Sequence, residues 1–167
     1  DPPRMPRRGY ILYRNREPIA VSTDVKSLFV NPNKIKNKSQ VAIWIAKALN
    51  VSSQSILSKL KTDKTFAWIK RQLSESEQEA VEQLLAKHPT LNIGLGLSKE
   101  TKRFYPHKSL AAQVLGFTGL DSNGLEGLEL FYEGELSGVS DVRVKDGNSL
   151  VLTIDKTLQY TLEEELE

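Results

Sequence analysis

The chain has 167 residues, of which 39% are hydrophobic and 26% charged, enough to bury the core of one domain or of two small lobes. Its net charge of +2 gives no bulk electrostatic reason to bind nucleic acid or an anionic membrane surface. The absence of cysteine excludes disulfides and thiolate catalysis. The two histidines lack metal-ligand spacing, so we expect neither a metal nor a cofactor.

The first thirty residues predict a segment of short strands. Residues 1–8 are basic and rich in proline, which opposes regular structure, and they indicate a linker. Aromatic and aliphatic residues predict strands at 9–14, 19–23 and 27–30, with a turn at 15–18 between the first two.

The region that follows predicts two helices and a strand. Ser39 is placed to cap a first helix, and Asn50 is placed to end it. Apolar residues within 56–60 predict a short second helix, and residues 65–71 alternate as in a strand.

A third helix is indicated by its capping residues. Ser74 and Glu77 have the spacing of a capping box, and Pro89 should help to end the helix that they begin. Residues 91–97 alternate again and predict another strand.

The last third of the chain predicts short, mixed elements. In order, they are a helical turn at 109–115, an extended or turning segment at 116–119, a helix at 125–136, a strand at 139–145, a turn at 146–148 and a strand at 150–154. Asp155 should cap a final helix with a thin leucine stripe, and we expect a longer natural protein to cover that stripe. The order of elements favours an α+β fold over a doubly wound sheet.

Three short blocks and the tail carry a set of motifs. The first block is Arg8-Gly9 with Arg14, the second is Arg103-Phe104-Tyr105-Pro106 followed by Gly116-Phe117, and the third is Gly124, Gly127 and Glu129 followed by Leu136 and Gly138. In this order, the blocks resemble class B penicillin-binding proteins. The tail around 152–159 is similar to the strand and helix that open the transpeptidase domain of this family. Tyr13 stands where the family usually has Asp, and Arg16 where it has Gly, which puts the turn at 15–18 in doubt.

The resemblance implies an elongated, two-lobed α+β pedestal, also called a dimerisation domain, from a protein of the cell-division (septal) type. It divides the chain into a juxtamembrane linker at 1–8, the pedestal at 9–150 and the start of the transpeptidase domain at 151–167. This fragment would then be non-catalytic, and the full-length protein would be a serine-type D,D-transpeptidase that binds penicillin. The implied location is the periplasmic side of the bacterial membrane, behind an N-terminal anchor.

The implied partners belong to peptidoglycan and cell-wall synthesis. They are the protein's own transpeptidase domain, division or cell-shape proteins that include a membrane glycosyltransferase, and a second copy of the chain as a homodimer. A β-lactam would bind only through the domain that follows, and no nucleic acid is expected.

Twelve residues of these blocks are the candidate structural or interaction residues: Arg8, Gly9, Arg14, Arg103, Tyr105, Pro106, Gly116, Gly124, Gly127, Glu129, Leu136 and Gly138. We expect the glycines at 9, 124, 127 and 138 where the backbone needs a positive φ or a close approach, and Tyr105-Pro106 where side chains pack. Glu126 and Glu129 are three residues apart and so should lie near each other on a helix, with Arg8, Arg14 and Arg103 as available partners. The resemblance implies that such arginines and glutamates pack between the lobes and against the transpeptidase domain, the alternative being solvated surface charge. The first block should lie close to the second and third.

Two other functions are weighed on the same sequence. Ser58-x-x-Lys61 has the spacing of a penicillin-binding nucleophile, but no Ser-x-Asn follows it, so we expect Ser58 to be inert. The alternative function is a stand-alone binding module, in which lysines and Trp68, Lys70 and Arg71 form a basic, aromatic face for nucleic acid or another anion.

Overall fold

The computed structural model describes residues 6–107, 112–139 and 145–166. The chain divides into two compact units: unit 1 is Val25–Glu100, and unit 2 combines the described parts of Pro3–Asp24 and Thr101–Glu167. Each unit mixes helices and strands, which confirms the predicted α+β class and its division into two lobes.

A hairpin near the N-terminus confirms the first predicted turn. Strand β1 (Ile11–Leu12) pairs antiparallel with strand β2 (Pro18–Val30). The prediction of two separate strands at 19–23 and 27–30 is wrong, because β2 runs unbroken for 13 residues. The Lys26 carbonyl accepts a hydrogen bond from Leu73 N at 2.8 Å, a distant contact that the local pattern could not reveal.

The turn between β1 and β2 forms although Arg16 replaces the usual glycine. Tyr13 N donates to the Glu17 carbonyl at 2.8 Å, and Arg16 adopts a φ of 66°. Tyr13 itself is fully buried, and its ring centroid lies 6.3 Å from that of His107. The turn therefore holds, and the position of the family's usual Asp is occupied by a core aromatic.

Replacing Arg16 with glycine should stabilise the chain. The left-handed conformation costs a non-glycine residue about 1–2 kcal/mol, and glycine gives back about 0.5–1 kcal/mol in chain entropy, so a net gain of about 0.5–1 kcal/mol is expected for Arg16→Gly. Urea unfolding followed by circular dichroism measures it. Arg14→Gly, at a neighbouring exposed residue without positive φ, should instead lose stability; a loss at both positions would contradict the argument.

Unit 1 packs three helices with a small sheet. The helices are α1 (Lys38–Leu49), α2 (Ser53–Leu60) and α3 (Glu75–Lys87), and the strands are β3 (Ala67–Lys70) and β4 (Leu95–Phe104), which pair with β2. The core contains, among others, Leu28, Val30, Ile45, Leu60, Ile69 and Val81. Strands β2 and β4 continue from this unit into unit 2.

The ends of the unit 1 helices test the capping predictions. The capping box of Ser74 and Glu77 is confirmed, with Ser74 Oγ accepting from Glu77 N at 3.3 Å. Asn50 ends α1 as predicted. Ser39 is not the cap, because α1 begins at Lys38 after Asn37, whose φ of 51° suits an asparagine.

The predicted strand at 91–97 is wrong over its first four residues. Pro89–Ile93 forms a 3-10 helix, in which the fixed φ of proline suits the first position. Strand β4 then starts at Leu95 and extends through a charged stretch to Phe104, which the sequence did not indicate.

Unit 2 contains short elements around the hairpin. They are helices α4 (Ala112–Leu115), α5 (Gly127–Phe131), α6 (Glu133–Leu136) and α7 (Lys156–Leu166), and strand β5 (Leu150–Val151), which lies parallel to β1. The core is formed by Ile11, Tyr13, Ile19, Ala20, Leu115 and Leu136. Asp155 caps α7 as predicted, since its Oδ1 accepts from Thr157 N at 2.9 Å.

The predicted helix at 125–136 is only partly confirmed. Leu125 is held in a hairpin, with its N–H donating to the Phe117 carbonyl at 2.9 Å, and the helix then breaks at Tyr132 into α5 and α6. Most of the predicted strand at 139–145 lies outside the described residues. Along the part of the chain that the structure describes, no helix has the length and apolar composition needed to cross a membrane.

Candidate functional site

A buried carboxylate forms the centre of unit 2. Glu129, in α5, is 0% exposed. Its Oε2 accepts from Arg8 Nε at 2.7 Å, and its Oε1 accepts from Arg103 Nε at 2.7 Å and from the Tyr105 hydroxyl at 3.2 Å. One glutamate thus joins the N-terminal segment, the end of β4 and α5, so the three sequence blocks meet at a single side chain.

Arg8 donates to acceptors in the third block and in the hairpin just before it. Beyond the Glu129 carboxylate, its Nη2 donates to the Glu129 carbonyl at 2.6 Å, while its Nη1 donates to Glu133 Oε2 at 2.7 Å and to the Ser122 carbonyl at 3.0 Å. The planar guanidinium, with its fixed donors, suits such a rigid set of acceptors. Arg8 thereby fixes the hairpin at 117–125 and both short helices.

Arg103 connects the same carboxylate to the first block. Its Nη1 donates to the Gly9 carbonyl at 2.7 Å and to Ser22 Oγ at 3.2 Å. Ser22 Oγ in turn donates to the Arg8 carbonyl at 3.1 Å. Two buried arginines therefore face two glutamates, Glu129 and Glu133, and the charges balance.

Arg8 and Arg103 pair with Glu129 in the interior, but Arg14 and Glu126 do not join them. Packing of these residues between the lobes and against the transpeptidase domain stays a prediction. Arg14 and Glu126 are exposed. Glu126 precedes α5 in an extended conformation, so it does not share a helical face with Glu129 as its spacing had indicated. The alternative of solvated surface charge is wrong for Glu129, which is fully buried.

The glycines allow the backbone to approach closely around this network. Gly124 N donates to Glu133 Oε2 at 2.7 Å, and a Cβ on Gly124 would lie only 2.1 Å from the Glu129 carbonyl oxygen. Close approach to backbone also characterises Gly9, and a positive φ characterises Gly116, Gly127 and Gly138. The geometric expectation for Gly9, Gly124, Gly127 and Gly138 is therefore confirmed, while the positive φ of Gly116 was not predicted.

The remaining candidate residues, Tyr105, Leu136 and Pro106, differ in how deeply they are buried. Burial raises the pKa of the Tyr105 hydroxyl and the nearby Glu129 carboxylate raises it further, so the hydroxyl stays protonated and can donate to that carboxylate. Leu136 is fully buried in the core of unit 2. Pro106 is exposed, and its packing stays a prediction.

Sequence reasoning missed three members of the network: Ser22, Ser122 and Glu133. Glu133 carried a signal, because it lies four residues after Glu129, although a helix break at Tyr132 separates them. Ser22 and Ser122 contribute through contacts that only the fold creates, and no local pattern identifies them.

The structure offers no support for the other two functions. Ser58 is exposed in α2, and its Oγ donates to the Ser55 carbonyl at 2.8 Å. In the basic, aromatic face, Arg71 lies over Trp68 but is bound by Glu100 at 2.6 Å, and Lys70 pairs with Glu77. Across residues 6–107, 112–139 and 145–166, no cluster of three potential metal ligands occurs.

Comparison with known families gives the class of protein. The profile described as "Penicillin-binding Protein dimerisation domain" matches residues 3–160, and the chain belongs to this family. This agrees with the resemblance seen in the motif blocks. It also disfavours the stand-alone anion-binding module.

Individual relatives carry the names of peptidoglycan transpeptidases. The probable peptidoglycan D,D-transpeptidase PbpC of Pseudomonas aeruginosa is 37% identical over 88% of this chain and 26% of its own length. The probable D,D-transpeptidase PenA of Neisseria meningitidis is 31% identical over 95% of this chain and 30% of its own. FtsI of Escherichia coli K12 is 27% identical over 95% and 30%. The chain thus spans roughly a quarter to a third of these relatives.

Solved structures share the fold. A penicillin-binding protein described in complex with MreC from Helicobacter pylori aligns with a TM-score of 0.74 at 22% identity, over 96% of this chain and 37% of its own. Penicillin Binding Protein 2X from Streptococcus thermophilus aligns with a TM-score of 0.64 at 18% identity, over 97% and 30%.

Proposed function

We propose that this chain is the non-catalytic pedestal of a peptidoglycan D,D-transpeptidase, with 1–8 as juxtamembrane linker, 9–150 as pedestal and 151–167 opening the catalytic domain. The protein would lie on the periplasmic side of the cytoplasmic membrane, behind an N-terminal anchor. The family match supports this proposal, and the relatives' names supply the activity.

The observation that carries the positioning role is the buried network around Glu129. It fixes the N-terminal segment, which would lead to the membrane, against α5 and the end of β4. Arg14 N also donates to the Ile154 carbonyl at 3.0 Å, and Leu152 N to the Leu12 carbonyl at 2.8 Å, so the same segment is joined to the chain that leads into 156–166. A rigid path would thus run from the membrane side to the catalytic domain.

The pedestal would also dock partners of cell-wall synthesis. The Helicobacter pylori neighbour was solved in complex with MreC, which supports docking of a partner protein, and the relatives named as peptidoglycan D,D-transpeptidases support a role in cell-wall synthesis. We include division and cell-shape proteins among the proposed partners. A membrane glycosyltransferase and a second copy of the chain belong to the same proposal.

The test of the enzymatic part is an intact-mass measurement after incubation with a β-lactam. The comparison uses this chain and the same gene product extended past residue 167. One covalent adduct on the longer protein alone supports the proposal. Acylation of this chain would overturn its non-catalytic role and implicate Ser58, and no reaction of either protein would overturn the transpeptidase assignment.

A further inference from the structure

The hairpin at 117–125 carries an asparagine that is prone to react with its own backbone. Asn123 precedes Gly124, and no other asparagine in the sequence is followed by glycine. In such a pair the backbone nitrogen of the glycine attacks the side-chain amide carbon of the asparagine, because glycine has no Cβ to obstruct the approach. Asn123 is exposed, so water reaches it. By sequence and exposure alone, Asn123 should lose its side-chain amide.

This reaction, deamidation, proceeds through a cyclic imide. A bond forms between Gly124 N and Asn123 Cγ, the bond from Cγ to Nδ2 breaks, and the proton of Gly124 N leaves with Nδ2 as ammonia. Water then opens the ring at either carbonyl carbon, which leaves aspartate or isoaspartate in place of the asparagine. To close the ring, the peptide group between Asn123 and Gly124 must rotate away from the ψ angles of both extended and helical backbone.

The fold holds that peptide group at both of its polar atoms. Its carbonyl oxygen, on Asn123, accepts from Gly119 N at 2.8 Å. Its N–H, on Gly124, donates to Glu133 Oε2 at 2.7 Å. Gly124 is also buried and forms an antiparallel bridge with Thr118. Rotation of the peptide group would break both hydrogen bonds, so the ring closes only after this end of the hairpin opens.

Arg8 fixes the acceptor that holds Gly124. Its Nη1 donates to Glu133 Oε2 at 2.7 Å, the same oxygen that accepts from Gly124 N. The same Nη1 donates to the carbonyl of Ser122 at 3.0 Å, on the other side of Asn123 in the chain. One buried guanidinium thus restrains the residues on both sides of the asparagine, and the reactivity of Asn123 depends on the network as well as on the hairpin.

We propose that Asn123 is a deamidation site that the buried network keeps unreactive, and that Glu133 is the positioning residue for this protection. Its carboxylate holds the Gly124 N–H in an orientation from which the nitrogen does not reach Asn123 Cγ. Loss of the amide would be irreversible in the chain. Isoaspartate adds one backbone atom before Gly124, so the bonds to Gly119 and Glu133 could no longer form together. This proposal does not depend on the transpeptidase assignment.

The first test compares the folded chain with its own unfolded form. The 167-residue chain is incubated at mildly alkaline pH in buffer and in guanidinium chloride, beside a synthetic peptide of residues 120–126. Digestion at low pH and mass spectrometry measure amide loss at Asn123. The folded chain should react at least about tenfold more slowly than the other two samples, because a hairpin that opens only by local unfolding is rarely in the reactive form. Equal rates in all three samples would overturn the proposal.

Variants test the role of Glu133. Glu133→Ala removes the acceptor of Gly124 N and should raise the rate of amide loss severalfold. Glu133→Gln should restore most of the protection, because Arg8 and Gly124 both donate to a single oxygen that the glutamine amide can supply. The matched control Glu126→Ala removes an exposed carboxylate three residues after Asn123 and should leave the rate unchanged. An unchanged rate in Glu133→Ala would overturn the proposal, and a slower one would make the carboxylate a general base for the attack instead.

Hydrogen exchange separates local opening from unfolding of the whole unit. The reference amide is Leu150 N, which donates to the Tyr10 carbonyl at 2.8 Å elsewhere in unit 2. In Glu133→Ala, the Gly124 amide should exchange faster while the Leu150 amide keeps its protection. Equal loss of protection at both amides would overturn the assignment to Glu133, since the faster reaction would then follow from general unfolding.

Discussion

Glu129→Ala should destabilise unit 2 by about 3–5 kcal/mol, the cost typical of removing one partner of a buried ion pair. The substitution leaves the guanidiniums of Arg8 and Arg103, which are 1% and 2% exposed, without the carboxylate that both contact at 2.7 Å. Urea unfolding by circular dichroism measures the loss. Native-state hydrogen exchange at the amides of Gly119 and Leu125, in the hairpin that Arg8 holds, localises it.

The matched control is Glu126→Ala, three residues earlier and exposed. It should change stability by no more than about 0.5 kcal/mol, as surface substitutions usually do. Glu129→Gln keeps the shape of the side chain but not its charge, and it should fall between the two. Equal effects of Glu129→Ala and Glu126→Ala would show that the network contributes nothing to stability.

A large cost of breaking the network does not make it the most stabilising solution. Taking charges out of water is expensive, and well-packed apolar residues can replace buried ion pairs without loss. Apolar side chains form no directional bonds, so they would not fix one orientation of the N-terminal segment. Arg8 does so, because it donates to four acceptors at fixed positions on Glu129, Glu133 and Ser122. The network therefore specifies one arrangement of the N-terminal segment, which is the property that a positioning module needs.

Local sequence signals predicted local structure well. Helical spacing and the capping box located α1, α2 and α3, because such signals act within a few residues of each other. The predicted boundaries of helices and strands were wrong where contacts between residues far apart in the sequence determine them. Strand β2 stays extended through Lys26 because of its bond from Leu73, and Leu125 is kept out of α5 by its bond to Phe117.

The residues of the site were predictable only in part, because local motifs identify some of them and contacts between distant residues decide the others. The motif blocks identified Arg8, Arg103 and Glu129, and the structure brings the three together. Composition could not distinguish Glu129 from Glu126, since only the fold buries one and exposes the other. Ser22 joins the network through its hydroxyl and Ser122 through its backbone carbonyl, and no local sequence pattern predicts either contact.

The second large effect is expected from Gly124→Ala. A Cβ at this position would lie 2.1 Å from the carbonyl oxygen of Glu129 and 2.3 Å from its carbon, both of them backbone atoms that no rotamer change can move away. Relief requires the hairpin to shift away from α5, which also lengthens the bond from Gly124 N to Glu133 Oε2. Overpacking of this kind costs about 1–3 kcal/mol, occasionally more, and urea unfolding measures it.

Gly134→Ala provides the opposite case within the same unit. Gly134 lies in α6, and a Cβ there would meet no atom within 4 Å, so alanine should stabilise the helix by about 0.5–1 kcal/mol. The two substitutions are chemically identical and ten residues apart in sequence, so their difference isolates the close approach between Gly124 and the Glu129 backbone. If Gly124→Ala were as harmless as Gly134→Ala, the hairpin at 117–125 would not be packed against α5, and the rigid network that joins them would have to be abandoned.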